Sequence, residues 1–265
     1  MILNRRLTVL GVSAVALGLT AAAGPAFASA GTTAHANPGG LFHAAPGVHA
    51  NTARGSATGD KPVLDYSTNW SGYAVTGGTF TSASATWVQN AGACTSGDGD
   101  TDMSPWVGID GFTSSSVEQI GTSVDCSGAS ADYYAWYEMY PANFVTINKT
   151  IKAGDSFTGS VTRSGTTYTL KLVNNTEGWT YSINKTASDK NSSAEAVMEQ
   201  AGDHLTKWNG TDPFTSFLVN GSPVGSFTAS QYTIYQMEIQ NGSLCDSTSA
   251  LSGNENFTET WLNAC

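Results

Sequence analysis

Histidine is scarce in this chain, and that narrows the available chemistry before any fold is considered. His35, His43 and His49 lie in a leader poor in large apolar residues, which leaves His204 as the one histidine beyond residue 60. A Ser-His-Asp or Cys-His mechanism would rest on that single imidazole, and no nucleophile elbow accompanies it. Neither an Asp-Thr-Gly nor an Asp-Ser-Gly turn is present to build an aspartic dyad. Cys94, Cys126, Cys245 and Cys265 are an even set, which in a secreted chain favours two disulfides over free nucleophiles. Three pairings are open, and proximity along the chain favours Cys94–Cys126 and Cys245–Cys265. Without a CxxC or Cys/His cluster, neither a zinc site nor another cofactor is expected. Carboxylate chemistry remains, and Asp110, Glu138, Glu195 and Glu199 have the most informative surroundings.

The elements that would carry these acids alternate. Across Trp106-Val107-Gly108-Ile109-Asp110, Val107 and Ile109 face one side of a strand and Trp106, Gly108 and Asp110 the other. A ring, a bare backbone and a carboxylate on one face suit the floor of a groove; the plainer alternative is a half-buried strand with its Trp at the surface. Tyr133 to Pro141 is a strand ended by proline, with Trp136 and Glu138 on a common face. Ala194 to Ala201 consists of good helix formers that Ser192 or Ser193 can cap, and taken alone it reads as a short helix. In either conformation Glu195 and Glu199 point the same way.

Most of the remaining chain has β texture. Trp70–Thr76, Ser82–Val88, Ser156–Thr162, Tyr168–Val173, Trp179–Ile183 and Ser230–Ile239 read as strands, separated by Gly- and Asn-rich turns, while Gly242–Asn263 reads as loop. Such spacing predicts an all-β sandwich or barrel. Residues 1–30 carry Arg5 and Arg6, an apolar run and small-residue cleavage sites, as a secretory signal does. Residues 31–60 read as a linker or propeptide, and residues 61–265 as a single domain. All 21 acidic residues lie at or after Asp60, whereas Arg5, Arg6 and Arg54 of the 11 basic ones precede it. So acidic a body excludes phosphate-binding work, and neither nucleic acid nor a membrane is expected as a partner.

The motifs also resemble a family. Asn69-Trp70-Ser71-Gly72, Trp106-Val107-Gly108-Ile109-Asp110-Gly111, Val117-Glu118-Gln119-Ile120-Gly121, the Tyr133–Pro141 strand and Ala194-Glu195 to Glu199 occur in the order seen in the glutamic peptidases, or eqolisins. The resemblance implies a sandwich of two large curved antiparallel sheets, a concanavalin-like jelly roll. It further implies a secreted, monomeric endopeptidase acting on polypeptides in acid. Gln119 and Glu199 become the catalytic pair, Trp70, Trp106, Asp110, Trp136 and Glu138 line the groove, and Ala194–Gln200 becomes a strand. Glu199 would be general base and then acid, Gln119 the oxyanion donor, with an optimum at roughly pH 2–4 if the catalytic pKa lies near the working pH. Two departures stand out: Tyr134 replaces an acid found before the Ala-Trp-Tyr-Glu motif, and Ala196 replaces a bulky residue. A sugar-active sandwich using Glu138 and Glu199 as an acid/base pair is the competing expectation.

Overall fold

The computed structural model describes residues 46–55, 61–202 and 204–265. The expected signal peptide, and residues 31–45 and 56–60 of the expected leader, lie outside them. Strands dominate: β1 (Asn51–Arg54), β2 (Val63–Ser67), β3 (Trp70–Thr76), β4 (Ser82–Val88), β5 (Asp100–Asp110), β6 (Val117–Ser127), β7 (Ser130–Tyr140), β8 (Val145–Ile147) and β9 (Ser156–Ser164). Then come β10 (Thr167–Asn174), β11 (Trp179–Thr186), β12 (Ser193–Glu199), β13 (Thr211–Val219), β14 (Ser222–Pro223), β15 (Thr233–Asn241), β16 (Ser243–Thr248) and β17 (Phe257–Trp261). Among the described residues no helix is long and apolar enough to cross a membrane.

The expectation of two separate sheets is overturned. All the strands belong to one 17-stranded sheet, almost wholly antiparallel, that curls into a nearly closed barrel. One run of neighbours is β8–β7–β6–β5–β12–β3–β15, and it continues through β16, β17, β13, β4, β9 and β10 to β11. The join is β13: Thr211 to Phe214 pair with β17, and Thr215, Leu218 and Val219 pair with β4. A register irregularity between Thr215 and Leu218, with Ser216 at φ 54°, lets the strand change partner in mid-course. Alternating polar and apolar residues reveal a strand's inward face but not which strand lies beside it, so a curled sheet and a sandwich look alike in sequence.

Inside the curl, Val107, Ile109, Ile120, Ala135, Tyr137, Ala194 and Ala196 meet Phe157, Val161, Tyr168, Leu170, Leu172 and Phe214 in the main core. Ala194–Glu199 is strand, not helix. It is clamped between β3 and β5 with both faces buried, and that tertiary context outweighs its local helix preference. The stretch expected to be loop, Gly242–Asn263, instead contains β16 and β17, which supply the link from β15 to β13. Cys94–Cys126 and Cys245–Cys265 are the disulfides; the second fastens the C-terminus to β16.

Candidate active site

The outward face of β3, β12, β5, β6 and β7 bears the expected site residues in register. One row across the strands is Ala74, Glu195, Gly108, Gln119 and Glu138; the next is Gly72, Val197, Trp106, Gly121 and Trp136. Glu199 pairs with Trp70 on one side and Ser104 on the other, one row further along. The glycines are steric requirements. A Cβ at Gly121 would lie 2.5 Å from the Cβ of Trp106 and 2.9 Å from the Trp136 ring, and one at Gly108 would lie 2.9 Å from the Trp106 ring. Bare backbone at both positions lets the two indoles lie flat over the sheet.

Those indoles organise the polar groups. Trp106 Nε1 donates to Glu199 Oε2 at 2.8 Å. Asn69 Nδ2 donates to Glu199 Oε1 at 3.3 Å, and the Trp70 indole N–H lies close enough to help hold a charge there, without a well-formed hydrogen bond. Trp136 Nε1 donates to Ser123 Oγ at 2.8 Å, and Ser123 in turn bonds Ser104 Oγ at 2.6 Å. Gln119 Nε2 donates to Glu138 Oε2 at 2.6 Å, both groups being buried. The Gln119 Oε1 finds no hydrogen-bond partner among the described residues.

Burial pushes the Glu138 carboxyl up to about 8, against the smaller opposing effect of the Gln119 bond. Burial likewise holds Glu199 well above the ordinary carboxylate range; the Gly47 amide and the Trp106 indole oppose it, and the charge of Glu138 adds to it. Gln119 and Glu138 share one row of this face, and Glu199 stands two rows along it. Trp70, Trp106 and Trp136 line it, packed edge to face at 4.8 Å in the case of Trp70 and Trp106.

Asp110, expected on the groove floor, also ties two segments together. Its carboxylate accepts the backbone N–H groups of Asn191 at 2.5 Å and Ser192 at 2.8 Å, as well as the Ser192 and Ser114 hydroxyls. It therefore anchors the entry to β12, which carries Glu195 and Glu199. Glu195 is wholly buried in the same row as Gln119, and burial, followed by the charge of Asp110, holds it well above the usual range. Where an acid was expected, Tyr134 donates to Asp125 Oδ2 at 2.9 Å, so a carboxylate reaches that corner from β6. His204 Nδ1 lies 2.9 Å from the backbone oxygen of Cys265. No group of His, Cys, Asp and Glu among the described residues is arranged to hold a metal ion.

Sequence reasoning missed the segment that covers the site. The Gly47 amide donates to Glu199 Oε1 at 2.9 Å. Asn69, besides touching Glu199, donates from Nδ2 to Val48 O and accepts the Ala50 N–H at Oδ1. His49 donates its backbone N–H to Gly111 O and stacks its ring on Phe112 at 4.4 Å. Its composition, Gly, Ala and His with few large apolar residues, gave no signal of this docking.

Gln119, Glu138 and Glu199 thus lie buried on a tryptophan-lined face of the curled β-sheet. Residues 68–261 match the peptidase A4 family, and the chain belongs to that family, the glutamic peptidases or eqolisins. Among solved structures, scytalido-glutamic peptidase bound to a transition-state analogue inhibitor is similar at 23% identity, TM-score 0.56, over 77% of this chain and 100% of that one. SCP-B, an eqolisin in complex with the tripeptide Ala-Ile-His, aligns at 22% identity, TM-score 0.54, with the same coverage. Aspergilloglutamic peptidase from Aspergillus niger aligns at 29% identity, TM-score 0.50, over 61% of this chain and 99% of that one. No curated protein matches the chain. The protein is an acid glutamic endopeptidase of extracellular role, acting on peptide bonds.

Proposed function

We propose that Glu199 and Gln119 carry out the peptide-bond hydrolysis, with residues 1–30 directing secretion and the segment up to about residue 60 removed before full activity. The observation that carries this reading is that Glu199 is supplied with N–H donors suited to a carboxylate, from Trp106 and Asn69, on the same sheet face as the hydrogen-bonded Gln119 and Glu138. Glu199 ionised takes a proton from water as the water oxygen bonds to the scissile carbonyl carbon. The carbonyl electrons move onto oxygen, where a Gln119 N–H stabilises them. The proton then passes from Glu199 to the leaving nitrogen as the C–N bond breaks, and the carboxylate is restored. An amide does not titrate, so this oxyanion donor persists in acid.

While Gly47 covers Glu199, burial keeps the acid protonated at low pH and therefore unable to act as a base. Departure of the segment returns water to the carboxyl and lowers its pKa toward the ordinary carboxylate value. The membership of a peptidase family favours this reading over sugar hydrolysis by Glu138 and Glu199. Replacing Gln119→Ala should lower kcat on a denatured protein substrate by about 10²–10³-fold, as loss of an oxyanion donor does, and Glu199→Gln at least as much. Mass spectrometry of digests at pH 3 and pH 7 reads both; near-normal digestion by either variant would refute the assignment.

A further inference from the structure

Asp65, on β2, pairs with Met237 of the tryptophan-lined patch, and it is fully buried. Three side chains of the covering segment converge on it. Asn51 Nδ2 donates to Oδ1 at 2.5 Å, Arg54 Nε donates to the same oxygen at 3.0 Å, and His49 Nε2 stands 2.8 Å from Oδ2 without hydrogen-bond geometry. The walls are aromatic. The Arg54 guanidinium lies 5.0 Å from the Phe112 ring centre and 4.8 Å from that of Tyr235, while the His49 ring lies between Phe112 and Trp70. A carboxylate facing planar nitrogen groups between ring faces is what recognition of a guanidinium or imidazolium requires.

Resting on the endopeptidase reading, we propose that Asp65, Phe112 and Tyr235 form a substrate subsite for an arginine or histidine side chain, which residues 46–54 of the chain itself fill. Continuity with the catalytic acid supports this. Gly47 touches Glu199, and His49, two residues on, already reaches Asp65, so one extended peptide spans both. The segment is then a ligand held in cis: its backbone occupies the cleft, and its His49 and Arg54 occupy the pocket.

The test uses the full-length chain and its Asp65→Asn variant. Peptides identical except for arginine, its neutral isostere citrulline, or leucine at one scanned position are assayed at pH 4–5. At one position the wild type should cleave the arginine peptide at least about tenfold faster in kcat/KM than the citrulline peptide, the worth of one charge-assisted hydrogen bond. Asp65→Asn should bring that ratio to within about twofold of unity, with the leucine peptide cleaved as fast or faster because the segment is held less firmly. A ratio that survives in the variant, or is absent at every position in the wild type, overturns the subsite. A second readout needs no turnover: amide hydrogen exchange of residues 46–54 should be at least about tenfold faster in the variant. Unchanged protection there overturns the proposal even if no peptide is cleaved. Absence of cleavage by every protein together with faster exchange would leave the pocket standing and refute the endopeptidase reading.

Discussion

At the scale of single residues, the role proposed for Gln119 ties turnover to the proton on Glu138. Gln119 Nε2 and Glu138 Oε2 are 2.6 Å apart, and Gln119 Oε1 has no partner among the described residues. Burial keeps Glu138 protonated below about pH 8, and a neutral carboxyl can donate as well as accept. Donation to Gln119 Oε1, after a half-turn of the amide, satisfies that oxygen and turns both N–H groups toward the cleft. Raising the pH through the Glu138 pKa removes this donor. Glu138→Gln supplies a non-titrating N–H in its place, so the alkaline limb of its kcat/KM profile should move upward by at least about one pH unit. Initial rates on protein shown by circular dichroism to be folded at each pH decide this; an unmoved limb would refute it. In the sequence, the scarcity of histidine points to carboxylate chemistry, and the resemblance of the motifs to the glutamic peptidases, not their spacing, singles out Gln119 and Glu199. The anchoring work of Asp110 was not legible there. Its partners Asn191 and Ser192 lie some 80 residues away in the chain, and no local pattern announces such a contact.

At the scale of elements, β12 and the β5–β6 pair decide whether the array exists at all. Glu195 and Glu199 fall on the cleft face because the seven-residue strand β12 keeps period two between β3 and β5. A helix would also have aligned them, so their common face was readable although local composition alone favoured the wrong element and only the family resemblance gave a strand. Partner strands, which fix the type here, are distant in sequence, and the same is true of the switch in β13 that fuses the sheet. Local strands were legible; their neighbours were not. The tightest point of the floor is Gly121, wedged between the Trp106 Cβ and the Trp136 ring. Gly121→Ala should therefore cost about 1–3 kcal/mol, as overpacking of a filled interior does. It should also tilt Trp106 away from Glu199, lowering kcat more than it raises KM. Urea denaturation and steady-state kinetics measure the two effects, and an alanine variant equal to the wild type in both would show that the indoles have room to spare.

At the scale of the whole molecule, buried acids make the fold itself depend on pH. Burial raises Glu118 to about 9, Glu138 to about 8 and Asp246 to about 7, and holds Glu195, Glu199, Asp212 and Glu259 well above their usual range. Asp212, Asp246 and Glu259 form one group reached by the Ser71 and Thr248 hydroxyls, where the Asp246 charge raises both Asp212 and Glu259 while a bond with Glu259 lowers Asp246. The sign follows from linkage. In the unfolded chain these groups release their protons near pH 4–4.5, while the folded protein retains them to higher pH. Their contribution is therefore fully present below about pH 4 and is lost as pH rises through the folded values of about 7 to 9. Acid exacts little repulsion in return, because only 11 basic residues and four histidines stand in the whole sequence. Calorimetry should accordingly find Tm higher at pH 4 than at pH 8 by at least about 10 °C, since about 1 kcal/mol moves Tm by 2–4 °C in a domain of this size. Asp212→Asn, which keeps the shape and removes one buried charge, should shrink that gap while leaving Tm at pH 4 within a few degrees of the wild type. A Tm that climbs from pH 4 to pH 8 would mean that these carboxyls are stabilised as anions, and the account of an acid-adapted interior would fall with it.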